Sequence, residues 1–365
     1  MSPPALPPGT PDRARALDPG GSPAGPTRPN LSSLRRVSPD LTGHESVDKL
    51  RLIVRVARMY HERGLRQAQI ADALNLSQAG VSRLLRTAAS LGVVRTVVVS
   101  PEGIHSELED AVAERYQLAD VVIVEGDDFL DHPRSLLRAL GSAAASYLET
   151  AFRAGDFIGV STWSETLLEA ASAMQPGKHQ VADQVVQLMG GMGDPQGQVQ
   201  ATRLTVRLAQ LTGGTPLFVR APGLVGSAEA RLSLLHDPSV TEVSQAWQRL
   251  TAVLVGIGSL EPSPLLRLSG NAIAAEEMAR LRSLGAVGDI CQRFFDENGI
   301  HVDAGLGERT IGISVDQLRT VPRRIGVAGG AAKYPAVLGA VRGRWITALV
   351  TDSTTARRLV DEPQP

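Results

Sequence analysis

From Ala119 onward the chain alternates short apolar runs with amphipathic stretches, and that alternation leaves few folds open. Residues 120–124, 157–160, 184–189, 216–220, 252–257, 311–313, 324–328 and 346–350 are three to six residues long and rich in Val, Ile and Leu. Runs of that length and make-up read as strands. Between them, residues 133–152, 167–174, 202–211, 230–235, 238–250, 276–284, 333–342 and 353–360 have helical periodicity. A strand apolar at consecutive positions is buried on both faces, so the expectation is an α/β fold with a largely parallel sheet covered by helices on each side.

In such sheets a ligand lies beyond the carboxyl ends of the strands, where loops enter helix N-termini. Four loops carry suitable chemistry. The first, STWSET, puts four hydroxyls at a helix start; it suits a phosphate, although a single hydroxyl of Ser164 or Thr166 would suffice for ordinary capping. The second, around Gly190 and Gly191, lets backbone approach a ligand or simply makes a tight turn. The third is read as a loop over 285–290, in which Asp289 accepts hydrogen bonds from sugar hydroxyls or caps a turn. The fourth, AGGAAK, opens a helix with a glycine pair and places Lys333 on its first turn, within reach of a phosphate or carbonyl oxygen or else in solvent.

Ahead of this body lies a different pattern. In LRQAQIADALNLSQAGVSRLLRTAASL, Ile70, Ala73 and Leu74 form one apolar face, and Val81, Leu84, Leu85 and Ala88 form a second. Asn75 and Leu76 make the turn, and Ser77 is placed to cap the second helix. Gln78, Ser82, Arg83 and Arg86 project from the opposite side, as in a helix-turn-helix reading base edges and phosphates. Arg66 and Gln67, at the start of the first helix of the pair, complete the DNA-facing set. An amphipathic helix over 47–63 precedes the pair, and a strand run over 93–99 follows it like a wing. From Val47 to Val99 nine Lys and Arg face Asp48, Glu62 and Asp72, a local balance of +6, whereas the whole chain sits at −1. A basic module on an acidic body is the electrostatic footprint of a DNA-binding domain, though a core hairpin with a solvated side would show the same periodicity.

Residues 1–45 hold ten of the 23 prolines and read as a disordered tail. The expected domains are this tail, a winged-helix-like module over 46–100, a linker helix over 101–117 and an effector-binding domain over 118–362. One cysteine among 365 residues forms no internal disulfide, and no Cys/His spacing suits a metal. No cofactor is expected. The chain lacks a long apolar span or a hydrophobic leader, so no membrane partner and a cytoplasmic location are expected.

The motifs IADALNLSQAGVSRLLRTA, FIGVSTWSETL, VVQLMGGMGDP, ATRLT, APGLVGS, VGIGSL, GAVGDICQRFFD, IGISVDQL, GVAGGAAKYPAVLGAVRG and ITALVTDSTTA, in this order, resemble those of SorC-type sugar-responsive transcriptional regulators over residues 47–360. The resemblance implies an effector domain related to sugar-phosphate isomerases and deaminases, a homotetramer, double-stranded operator DNA as partner, and a sugar phosphate or related metabolite as effector. By position it implies a phosphate cradle of Ser161, Thr162, Trp163 and Ser164, aided by Gly190 and Gly191, with sugar contacts at Asp289 and Lys333. One departure stands out: many members carry G-x-G-W-G-(R/S)-T in the first loop, whereas here Glu165 sets a negative charge beside the expected phosphate.

The functional expectation is a DNA-binding regulator, not an enzyme, whose operator affinity follows a sugar, sugar phosphate or polyol. An isomerase- or deaminase-like enzyme with a fused DNA-binding module is the alternative, and would need a positioned base such as Asp289 or Glu165. A protein using its basic module on some other acidic partner is a third.

Overall fold

A computed structural model describes residues 44–94, 104–126, 133–176, 180–192, 194–271 and 273–363. The expected tail and most of the expected wing strand lie outside the described residues. The chain divides into two compact units, 1–98 and 99–365.

The first unit contains α1 (His44–His61), α2 (Gln67–Leu74) and α3 (Gln78–Ser90). Asn75 closes α2 in the left-handed region at φ 52°, and the Gly80 N–H donates to Ser77 Oγ at 3.0 Å to cap α3. Both features follow from residue type, since Asn tolerates that conformation and Ser is a favoured N-cap. Val56, Met59, Ile70, Ala71 and Val81 make a small core, with Leu52, Leu74, Leu84 and Leu85 packed around it.

In the second unit, seven parallel strands form one sheet: β1 (Asp120–Val124), β2 (Asp156–Val160), β3 (Ala182–Gln187), β4 (Thr215–Leu217), β5 (Ala252–Gly256), β10 (Arg323–Val327) and β11 (Ala348–Asp352). Their spatial order is β1-β11-β10-β5-β2-β3-β4. Along β5 the residues alternate between two cores, Ala252 and Leu254 on one face, Val253 and Val255 on the other. This is the period of two that a pleated strand imposes. The Ala252 face is covered by α5 (Pro133–Ala151), α6 (Glu165–Ala173) and α7 (Pro195–Thr212). The Val253 face is covered chiefly by α9 (Pro238–Trp247), α13 (Tyr334–Arg342) and α14 (Ser353–Asp361). The helix α4 (Ser106–Tyr116) belongs to this second unit; its Val112 is fully buried, and Tyr116 Oη donates to Leu359 O at 2.9 Å.

The chain runs outward from β2 through β3 to β4, and in the opposite direction from β5 through β10 to β11. The reversal falls between the neighbours β2 and β5, which marks the crevice at their carboxyl ends as the place for a ligand.

Several expectations need correction. The expected loop over 285–290 is, apart from Gly285, a strand, β7 (Ala286–Ile290), in a second, antiparallel sheet ordered β6 (Gly258–Ser259), β7, β8 (Arg293–Asp296) and β9 (His301–Val302). Residues 311–313 make no named strand; Gly312 forms an isolated bridge with Met189. The strand β3 stops at Gln187, and α6 begins at Glu165, two residues earlier than its periodicity suggested, because Ser164 caps it by accepting from Leu167 N at 3.4 Å. For a similar reason α7 starts at Pro195, ahead of 202, where Asp194 accepts from Gln196 N at 2.8 Å and proline occupies the first turn.

Candidate functional site

A cavity of about 500 Å³ opens at the carboxyl ends of β2, β5, β10 and β11. Among its lining residues are Ser161, Trp163, Ser164, Glu165 and Thr166 from the β2–α6 connection, 256–259 after β5, and 329–333 after β10. Leu136, Leu137 and Leu140 of α5 supply an apolar side. A volume in the range of about 300–1,000 Å³, mostly apolar with a few convergent polar groups, suits a small molecule.

Asp289 and Lys333 form the charged floor. Asp289 sits on β7 opposite Gly258 of β6 and is 8% exposed. Its Oδ2 accepts from the Gln292 N–H at 2.9 Å. Burial pushes the carboxyl up to about 6, while the Gln292 N–H and the Lys333 charge pull the other way. Lys333 Nζ donates to Ile257 O at 2.9 Å. Burial lowers its affinity for a proton, and Asp289 and Glu165 oppose that shift. The two residues offer a carboxylate acceptor and an ammonium donor to the same cavity, which is the chemistry needed to hold the hydroxyls of a polyhydroxylated ligand.

The hairpin joining β7 to β8 has a two-residue turn, Cys291 and Gln292, at φ 52° and 57°. Type I′ geometry of this kind is normally given to Asn-Gly or Gly-Gly, and non-glycine residues there are strained. Both residues line the cavity. Burial and the nearby Asp289 push the Cys291 thiol up to about 12, so it stays protonated beside the Ser161 hydroxyl.

The glycine pair after β10 is fixed by a carboxylate of β11. Gly330, at φ 90°, donates its N–H to Asp352 Oδ2 at 2.7 Å, and Asp352 also accepts from Thr355 N at 2.9 Å and Thr355 Oγ1 at 2.7 Å. A Cβ on Gly329 would fall well under 3.0 Å from Asp352 Oδ2.

The structure thus brings Ser161, Trp163, Ser164, Asp289 and Lys333 together in the lining of one cavity and leaves three of the expected contacts outside it. Thr162 is buried, with Oγ1 accepting from Gln187 Nε2 at 3.0 Å. Gly190 accepts from Trp163 Nε1 at 3.2 Å, and a Cβ on Gly191 would collide with the Trp163 ring. Thr162, Gly190 and Gly191 therefore hold the wall in place from the rear. Gln292, Cys291 and Asp352 were missed by sequence reasoning. Asp352 had a usable signal, an Asp ending a strand before STT, whereas the turn at Cys291 and Gln292 had none.

In the first unit, Gln78, Arg83 and Arg86 are exposed along α3 and Ser82 is half-buried; Arg66 is exposed and Gln67 half-buried at the start of α2. No group of His, Cys, Asp or Glu among the described residues could hold a metal ion, and no helix among them is long and apolar enough to cross a membrane.

A helical module preceding a parallel α/β body with a small-molecule cavity at its strand ends defines the class of two-unit, effector-binding proteins. The sequence comparisons narrow it. Residues 103–361 match the family model described as "Putative sugar-binding domain". The sorbitol operon regulator of Klebsiella pneumoniae is 31% identical over 321 residues, covering 87% of this chain and 99% of that protein. The deoxyribonucleoside regulator of Bacillus subtilis (strain 168) is 32% identical over 317 residues, covering 86% and 99%. The crystal structure of the full-length regulator SorC from Klebsiella pneumoniae superposes with a TM-score of 0.63 at 29% identity, covering 85% of this chain and 98% of that one. The chain belongs to the SorC-type family of sugar-binding transcriptional regulators.

Proposed function

We propose that this regulator binds operator DNA through the helical pair α2–α3, used as a helix-turn-helix, and that a sugar, sugar phosphate or polyol in the cavity sets its operator affinity. The buried Asp289 and the half-buried Lys333, both lining a 500 Å³ cavity, carry the reading. A buried charge is retained where it is paired or has work to do, and Asp289 lines a space of ligand size together with the Lys333 ammonium. Gln78, Ser82 and Arg83 are assigned to base edges, and Arg66, Gln67 and Arg86 to the DNA backbone and flanking positions. Ser161, Trp163, Ser164, Asp289 and Lys333 are assigned to the effector, with Thr162, Gly190 and Gly191 supporting them.

The reading is of a sensor rather than an enzyme. It includes a cytoplasmic homo-oligomer, a tetramer by family analogy, in which effector binding changes the disposition of DNA-reading modules through a coupling free energy. It also keeps the division into a tail over 1–45, a DNA-binding module over 46–100, a linker helix over 101–117 and an effector domain over 118–362. The test is fluorescence anisotropy of the full chain on operator fragments selected from genomic DNA, with and without sugars, polyols and their phosphates. A compound that binds in calorimetry and changes operator affinity supports the reading, provided Lys333→Ala abolishes the response while leaving DNA binding intact. Turnover of that compound at a steady rate would replace the sensor with an enzyme.

A further inference from the structure

The charge on the cavity wall bears on what the effector is. Glu165, Asp289, Asp352 and, at the exposed rim, Glu261 bring four carboxylates to the lining, against Lys333 as the one Lys or Arg among its described residues. No arginine is among them. Sites for phosphate usually combine arginine or lysine with unpaired N–H groups at a helix start.

Both loops that could cradle a phosphate are already served by the protein's own carboxylates. At the α6 N-terminus, Glu165 is the first helical residue and sets its negative charge where the helix dipole would favour an anion. At the glycine loop, the Gly330 N–H is bonded to Asp352 Oδ2 at 2.7 Å. Lys333 Nζ, the remaining positive group, is engaged with Ile257 O and lies under the influence of both Asp289 and Glu165. A phosphate dianion entering here would give up its hydration for a wall of its own sign.

Carboxylate and amide oxygens outnumber the cationic donors in the lining. Gln292 is 4% exposed and lines the cavity; its Nε2 donates to Asn271 O at 2.6 Å, and its Oε1 has no hydrogen-bond partner. A buried acceptor without a donor is a cost that a ligand hydroxyl can relieve. Asp289, three residues earlier on the same hairpin, adds acceptor capacity, and the leucines of α5 give the same cavity an apolar surface suited to the C–H side of a carbon chain.

We infer that the effector is an uncharged polyhydroxylated compound, a free sugar or sugar alcohol, and that the cavity discriminates against its phosphate ester. The inference rests on the reading of this cavity as the effector site.

The experiment uses the full chain and matched pairs: sorbitol and sorbitol 6-phosphate, erythritol and erythritol 4-phosphate, ribose and ribose 5-phosphate, each titrated by calorimetry. In the pair that binds, the parent is expected to bind at least tenfold tighter than the ester. Glu165→Gln should narrow that gap, because it removes the charge at the α6 start while keeping the side chain's shape. Gln292→Met should weaken the parent at least tenfold, with the melting temperature of the unliganded protein as the check on folding. A phosphate ester that binds tighter than its parent overturns the inference and leaves the sensor reading standing. Binding by neither member of any pair overturns both.

Discussion

Gly258 and Asp289 face each other across the antiparallel pair β6–β7, and a Cβ on Gly258 would fall well under 3.0 Å from Asp289 Oδ1. The carboxylate reaches the cavity floor because position 258 carries no side chain. Gly258→Ala should therefore displace Asp289 and destabilise the protein by about 1–3 kcal/mol, the usual range for overpacking. Chemical denaturation measures the second effect, and calorimetry should find effector binding lost in a protein that still folds. Unchanged binding would mean that Asp289 is not a ligand contact.

Asp289 also predicts a pH dependence. Its carboxyl stands at about 6 in the folded chain against an ordinary value of 3.8, chiefly through burial. The folded state thus holds the proton more tightly than the unfolded one. The stability this proton gives is complete below the unfolded value and is lost as pH rises through about 6. Asp289→Asn should be more stable than wild type at pH 7 by on the order of 1–3 kcal/mol, and the difference should vanish below pH ~4. The same variant should bind effector poorly, and wild-type affinity should fall as pH drops below about 6, where the acceptor is protonated. Urea titrations and calorimetry across that range give both curves. A variant less stable than wild type at pH 7 would show that the carboxylate is held by more than its one backbone bond.

Much of this fold was legible because strands buried on both faces leave an unmixed signature. AVLVG has no polar side to confuse it, VVIV after Asp120 is apolar throughout although its strand lies at the sheet edge, and both form strands within a residue of their apolar runs. The hairpin β7–β8 was illegible for the opposite reason. Its turn carries Cys291 and Gln292 where hairpin chemistry would put Asn-Gly, and Asp289 interrupts the apolar alternation. The residues that break the local rules are the ones lining the cavity. In the site itself, Ser164 and Lys333 could be placed by counting from strand ends. The bond from Gly330 to Asp352 spans 22 positions and depends on β10 and β11 being neighbours, which no local pattern encodes.

Gly191 tests the support behind the wall. Its missing side chain leaves room for the Trp163 ring, which is 6% exposed and also donates to Gly190 O. Gly191→Ala should push that ring toward the cavity and shrink it. Effector affinity should fall at least tenfold with a loss of stability of about 1–3 kcal/mol, while operator affinity without effector stays the same. Tryptophan fluorescence should report the ring's displacement. A Gly191→Ala protein with wild-type effector affinity would mean the ring moves elsewhere.

Two arginines one turn apart on α3 have different tasks on DNA in the proposed docking. Arg83 and Arg86 are both exposed on α3, three residues apart and so on adjacent ridges of the same helix. Helices that enter the major groove bring their N-terminal residues to base edges, and later residues meet the backbone. Arg83→Ala should weaken operator binding by about 1–3 kcal/mol and relax selectivity at one base pair, as expected for loss of a bidentate contact to guanine. Arg86→Ala should weaken operator and unrelated DNA alike, and lower the slope of log affinity against log salt by about one for each phosphate contact removed. Anisotropy titrations at several salt concentrations, on the operator and on a scrambled duplex, separate the two behaviours. Equal losses on both duplexes for Arg83→Ala would place that residue on phosphate, and would rotate α3 in the groove from the orientation assigned to it.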